Sequence, residues 1–201
     1  MVKADCGGCE GCSRCCHGMG KSIILDPYDV YRMTTGMGKS MQELLAASVE
    51  LNVVDGVILP NLKMQGTEEA CAYLDEEGRC SIHPYRPGIC RLFPLGRYYE
   101  NGGFSYFLQT GECVKENRSK IKVSKWIDTP DLTRNQQFIL QWHDLLHAME
   151  ERLTGEDEGK QREENLLLLR LFYLLPYEGT IDFYTQFTER MEHWNGQNGQ
   201  I

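Results

Sequence analysis

Cys6-Gly-Gly-Cys9-Glu-Gly-Cys12-Ser-Arg-Cys15-Cys16 holds five of the nine cysteines of this 201-residue chain. Four recur at every third residue and the last is doubled. A segment this rich in glycine buries no apolar core, so its thiols point to metal ligation. Each C-x2-C step delivers two sulfurs from one tight turn, and a metal centre needs three or four such donors converging. Thiolates are soft, which selects zinc, iron–sulfur or copper(I) over magnesium or calcium. A disulfide framework fits poorly with an odd count. No charged-then-apolar segment resembles a signal peptide, so the reading is a soluble cytoplasmic protein, where thiols stay reduced.

Working outward, Cys71, Cys80, Cys90 and Cys113 follow at separations of 9, 10 and 23 residues. They form no second C-x2-C, which excludes an ordinary zinc ribbon. The run also departs from the bacterial ferredoxin pattern C-x2-C-x2-C-x3-C-P, because two residues precede Cys15 and no proline follows. Cys71 to Cys80 reads as two short strands joined by a turn at Asp75 to Gly78, which brings those two thiols close. Pro84 and Pro87 stiffen the approach to Cys90.

These features together resemble the YkgJ-type cysteine-cluster family, described as a zinc- or iron-chelating domain. The match rests on Cys9-x2-Cys12-x2-Cys15-Cys16 and the Asp26-Pro-Tyr-Asp29 helix start. It continues through Cys71-x-x-Leu-Asp, Gly78-Arg-Cys80-Ser-Ile and Arg86-Pro-Gly-Ile-Cys90-Arg-Leu-Phe-Pro94. The resemblance covers roughly residues 6 to 115. It implies eight cluster cysteines, namely Cys9, Cys12, Cys15, Cys16, Cys71, Cys80, Cys90 and Cys113. Cys6 is extra, and His83 stands where such proteins often carry tyrosine. Related cysteine modules accompany flagellin lysine-N-methylases, yet no Gly-rich strand–helix segment for S-adenosylmethionine is evident here.

Adjacent Cys15 and Cys16 point in different directions and so suit two metals, or one metal and a second role. Between an iron–sulfur cluster and zinc, iron–sulfur is preferred. Arg14, Arg79, Arg86 and Arg91 lie near the cysteines in sequence, where guanidinium charge offsets thiolate charge and lowers thiol pKa values. His17 and His83 are neighbours of cysteines for which packing is favoured over ligation. His143 and His147, four apart on a predicted helix, read as helix-surface residues.

The remaining chain predicts a short strand at Ile23 to Leu25 and a helix capped by Asp26 and stopped at Gly36. A second helix opens on the Ser40–Glu43 capping box. A strand pair bent at Asp55-Gly56 is closed by Pro60, and Leu95–Tyr99 and Phe104–Leu108 form an aromatic hairpin around Asn101-Gly-Gly. Its aromatic side chains read as packed on the core. Phe138, Ile139, Trp142, Leu145, Leu146, Met149 and Leu153 make one helical stripe. Further helices are expected at 163–175 and 181–194. Gly-Met-Gly-Lys-Ser occurs at 18–22 and again at 36–40, but Cys15 and Met33 occupy the positions where a P-loop needs glycine.

The fold expected is α+β: a cysteine-cluster metal-binding domain over 1–125 and a helical C-terminal segment over 126–201, which can share one core. A net charge of −8 argues against nucleic acid or an anionic membrane as partner. Three functional readings stand: a redox or metal-handling centre, a structural zinc protein that binds a protein partner, and a metal-dependent enzyme modifying a protein side chain. No catalytic residue is assigned.

Overall fold

Asp26 begins the first helix of the computed structural model, which describes residues 1–5, 7, 12–115 and 117–198. Its side chain accepts the Asp29 N–H at 2.8 Å, and the Asp29 carboxylate accepts the Asp26 N–H at 3.3 Å. This reciprocal cap, with Pro27 in the first turn, opens α1 (Pro27–Met37). The helix passes the expected stop at Gly36 and ends at Gly38, whose φ of 64° supplies the left-handed cap. Gly36 serves packing instead, because a β-carbon there would collide with the Tyr85 ring. Ser40 and Glu43 form the expected box at the start of α2 (Met41–Ala47). The second Gly-Met-Gly-Lys-Ser is therefore a helix stop followed by a helix start.

The strands form two-stranded antiparallel ladders. Residues 2–5 make β1 (Val2–Asp5) against β8 (Ser119–Ile121). That partner lies more than a hundred residues away, beyond the reach of local pattern. β2 (Val49–Val54) and β3 (Val57–Leu62) turn at Asp55-Gly56, both with positive φ, as a two-residue hairpin requires. Pro60 lies inside β3 and does not close it; its carbonyl accepts the Leu25 N–H at 2.9 Å. The strand expected at Ile23–Leu25 is reduced to one bridge, Ile24 to Asn61, on that same edge. β4 (Met64–Gln65) pairs with β5 (Ala70–Cys71), and β6 (Leu95–Glu100) with β7 (Gly103–Leu108). In the last hairpin Tyr99 and Phe104 pack against the main core, whereas Tyr98 and Phe107 face outward. Phe107 covers Gly96, where a β-carbon would meet its ring.

From Gly88 onward the described residues form α3 (Gly88–Leu92), α4 (Val123–Ile127), α5 (Leu132–Leu153), α6 (Glu158–Leu169) and α7 (Phe183–Asn198). α6 starts earlier than the apolar pattern predicts, because Asp157 caps it through the Gly159 and Lys160 N–H groups. It widens into a π turn over Arg170–Leu174. Buried Arg190 of α7 holds this end, donating to the carbonyls of Leu171, Leu175 and Pro176 at 2.7–3.0 Å. Carbonyls that a helix end leaves without partners are thereby satisfied.

One buried cluster joins Leu25, Tyr28, Met33 and Leu62 to Phe138, Trp142, Phe172 and Phe187. The α+β chain thus packs its C-terminal helices directly on the cysteine-bearing part. A smaller cluster, Leu92, Leu95 and Ile127, ties α3 and β6 to α4. Among the described residues no helix is long and apolar enough to cross a membrane.

Candidate metal centre

Cys15 and Cys16 lie on a 3-10 turn spanning Arg14–Cys16, closed by the Cys16 N–H to the Ser13 carbonyl at 2.8 Å. Cys71 ends β5. The Asp75 carboxylate then accepts the N–H groups of Glu77 and Arg79 at 3.1 and 2.7 Å. An aspartate turn of this kind reverses the chain, and Cys80 returns to bridge Leu74. Cys90 sits in the short helix α3, whose two ends are tied down separately. At its start the Gly88 N–H donates to Asp29 Oδ1 at 2.6 Å. At its end the Trp126 indole N–H is shared between the Leu92 and Phe93 carbonyls at 3.3 and 3.2 Å.

These three segments enclose one cavity of about 110 Å³, lined by Cys12, Cys15, Cys16, Cys71, Cys80 and Cys90. All six are free thiols, and all are half-buried. Cys113 is also a free, half-buried thiol, in the segment after β7, and is not part of this lining. The ligand expectations at Cys6 and Cys9 lie outside the described residues. Ile23, Leu62, Phe93 and Trp126 form apolar wall. Among the described residues, no three His, Cys, Asp or Glu side chains are already gathered round a single ion position.

The thiols are not equivalent. Cys16 donates to Cys15, which lowers the Cys15 pKa to about 6 against the opposing effect of burial; Arg86 contributes in the same direction. Cys16, holding the proton, is pushed far up. Burial raises Cys71 and Cys80, and it raises Cys90 further with help from the nearby Asp29. Cys15 is therefore a ready thiolate at neutral pH, whereas Cys16, Cys71, Cys80 and Cys90 surrender their protons only to a cation. In metal-free protein the alkylation rate of Cys15 is expected to rise with pH through a midpoint near 6, since the thiolate is the nucleophile. Mass spectrometry of iodoacetamide-treated protein between pH 5 and 9 measures it; a midpoint above 8 would remove the Cys16-to-Cys15 hydrogen bond from the account.

Of the four arginines expected to balance thiolate charge, Arg79 and Arg86 line the cavity. Arg14 is exposed and does not. Arg91 turns away: buried, it faces the Tyr28 ring at 5.7 Å and opposes the rise that burial, then Asp26, imposes on the Asp29 pKa. A helix of five residues sends neighbours to different sides, so Cys90 and Arg91 cannot both face the cavity. His83 lines it, with its pKa lowered by burial, then by Arg86 and Arg79. His17 is absent from the lining, and its backbone bridges Ala70. His143 stacks on Tyr99 at 3.8 Å, and His147 faces Glu151 at 3.6 Å on its own helix.

Two residues important to the site escape sequence reading. Trp126 belongs to a short helix with no cysteine near it. Asp29 looks like half of a cap, and its second hydrogen bond spans 59 residues.

A family model with the description CxxCxxCC, a proposed zinc- or iron-chelating domain, matches residues 8–138. That span takes in every cysteine that lines the cavity, with Cys9 and Cys113, and leaves Cys6 outside. No curated protein and no solved structure matches the chain.

Proposed function

The chain belongs to the CxxCxxCC family of proposed zinc- or iron-chelating domains, and on that premise we propose that it holds an iron–sulfur centre between its three cysteine segments. One observation carries the proposal: six free thiols from segments up to 78 residues apart, Cys12 to Cys90, line one cavity of about 110 Å³. A water needs only about 10–15 Å³ on the same measure, so this volume takes several atoms.

Cys15, Cys71, Cys80 and Cys90 are the ligands proposed first, because Cys15, Cys71 and Cys80 all act electrostatically on Cys90, and Cys15 acts on Cys71 and Cys80 as well. Cys12 and Cys16 complete the ring of donors, and Cys6, Cys9 and Cys113 remain proposed ligands from the sequence pattern. A bound cluster of this kind supplies one-electron exchange. Arg86 and Arg79 offset the negative charge of the thiolates, and Trp126 and Phe93 shield them from water. A redox or metal-handling role in a reducing cytoplasm follows from such a centre.

Zinc is the second reading. The cavity ties together loops and two-stranded ladders that have little core of their own, which is what a structural zinc ion does. The surface would then serve a protein partner. Iron, zinc and acid-labile sulfide assays on anaerobically purified protein, with an absorption spectrum, separate the two. Iron and sulfide in a brown protein are the expected result. A colourless protein with stoichiometric zinc overturns the iron–sulfur proposal.

A further inference from the structure

Asp29 sits on α1, is not part of the cavity lining, and carries no thiol chemistry of its own. It is nevertheless 2% exposed, a degree of burial rare for an aspartate without a purpose in packing or binding. Both of its carboxylate oxygens are used. Oδ2 accepts the Asp26 N–H and closes the cap of α1, while Oδ1 accepts the Gly88 N–H at 2.6 Å.

Gly88 is the first residue of α3, and α3 has no cap of its own, since Pro87 precedes it and offers no side-chain acceptor. Asp29 supplies that cap from a different part of the chain. The first N–H groups of a helix lack internal partners, and a buried donor left without an acceptor is costly, so the Asp29 oxygen at 2.6 Å satisfies a group that α3 cannot satisfy itself. Arg91, one turn on, places its charge on the same side: a β-carbon at Gly88 would stand 3.5 Å from both Arg91 Nη2 and Asp29 Oδ1. Cys90 lies between these two anchors. A helix of five residues has little stability alone, so the direction of the Cys90 thiol depends on what holds α3.

We infer that Asp29 is a positioning residue of the metal centre, acting as the remote N-cap of α3 that aims Cys90 into the thiol-lined cavity. The inference rests on the metal-binding reading, and its test includes a readout that does not.

Asp29→Ala removes both acceptors. Gly88→Val keeps the Asp29 side chain and crowds it from α3 with branched carbons, since a β-carbon there already stands 3.5 Å from Oδ1. Two quantities are measured for each: hydrogen exchange of the 88–93 amides in metal-free protein, and iron and sulfide bound per chain after anaerobic reconstitution. Exchange over 88–93 is expected to rise about ten-fold or more, with the α5 amides unchanged, and bound metal to fall at least about two-fold. Should Asp29→Ala unfold the whole chain, Gly88→Val decides. Unchanged exchange over 88–93, or unchanged metal content alongside raised exchange, overturns the positioning role. Wild-type protein that binds no metal overturns the metal reading instead, and the exchange data still judge the cap.

Discussion

Replacing Cys15 and Cys80 together by serine is expected to take the bound metal from one centre per chain to background, with the fold retained. The two residues come from separate segments and line the same cavity, so no single loop rescues the loss. Cys15 is the thiol already poised as thiolate, with a pKa of about 6. A serine hydroxyl neither ionises in that range nor offers a soft donor. Each single substitution should leave an intermediate content, because neighbouring thiols remain. Metal analysis with circular dichroism reads both halves of the statement. Wild-type stoichiometry in the double variant would place the metal elsewhere, on a set drawn from Cys6, Cys9 and Cys113.

Phe138→Ala should cost about 3–5 kcal/mol of folding stability, the usual range for deleting a large buried aromatic side chain. Phe138 is 1% exposed. Its ring meets Phe183 and Phe187 edge-on at 5.0 and 4.8 Å, and Tyr28 at 6.3 Å. It therefore stands where α1 meets α5 and α7. Domains of this size are stable by about 5–15 kcal/mol, so the variant loses a large share of the whole. Urea denaturation of metal-free protein should show a lower midpoint at unchanged slope. Phe107→Ala, at a ring 46% exposed, provides the comparison and should cost far less. A loss at Phe138 below about 1 kcal/mol would mean that the helical layer and the cysteine-bearing part do not share a core.

The two expectations separate what stabilises the fold from what makes the site. Among the described residues, the core around Phe138, Trp142 and Phe172 contains no fully buried cysteine. Cys71, Cys80 and Cys90 pack only at its margin. Metal loss should therefore loosen the segments around the cavity more than the helices behind them.

Reading the chain locally succeeded where the physics is local. The Asp26 cap and the Ser40–Glu43 capping box depend on residues no more than three apart, and both are present. The turns at Asp55-Gly56 and Asn101-Gly102 need positive φ, and residue type alone marks them. The stripe from Phe138 to Leu153 falls on α5 because apolar spacing of three and four residues lines one helical face. Boundaries were less legible. Gly36 packs on Tyr85 while the left-handed stop falls two residues later at Gly38, and the start of α6 is set by Asp157 rather than by its apolar residues.

What the sequence determined by itself is the chemistry: free thiols in numbers and spacings that call for a soft metal, on an acidic α+β chain. Ligand type is a property of single residues and survives any path the backbone takes. Tertiary structure decided which of those residues share space. It brings Cys12 to Cys16, Cys71, Cys80 and Cys90 round one cavity and keeps Cys113 out of its lining. It also turns Arg91 from the thiols toward Asp29 and makes that aspartate a cap for a helix 59 residues away. Convergence of this kind depends on contacts between distant segments, and nothing in the spacing along a chain encodes the distance across a fold.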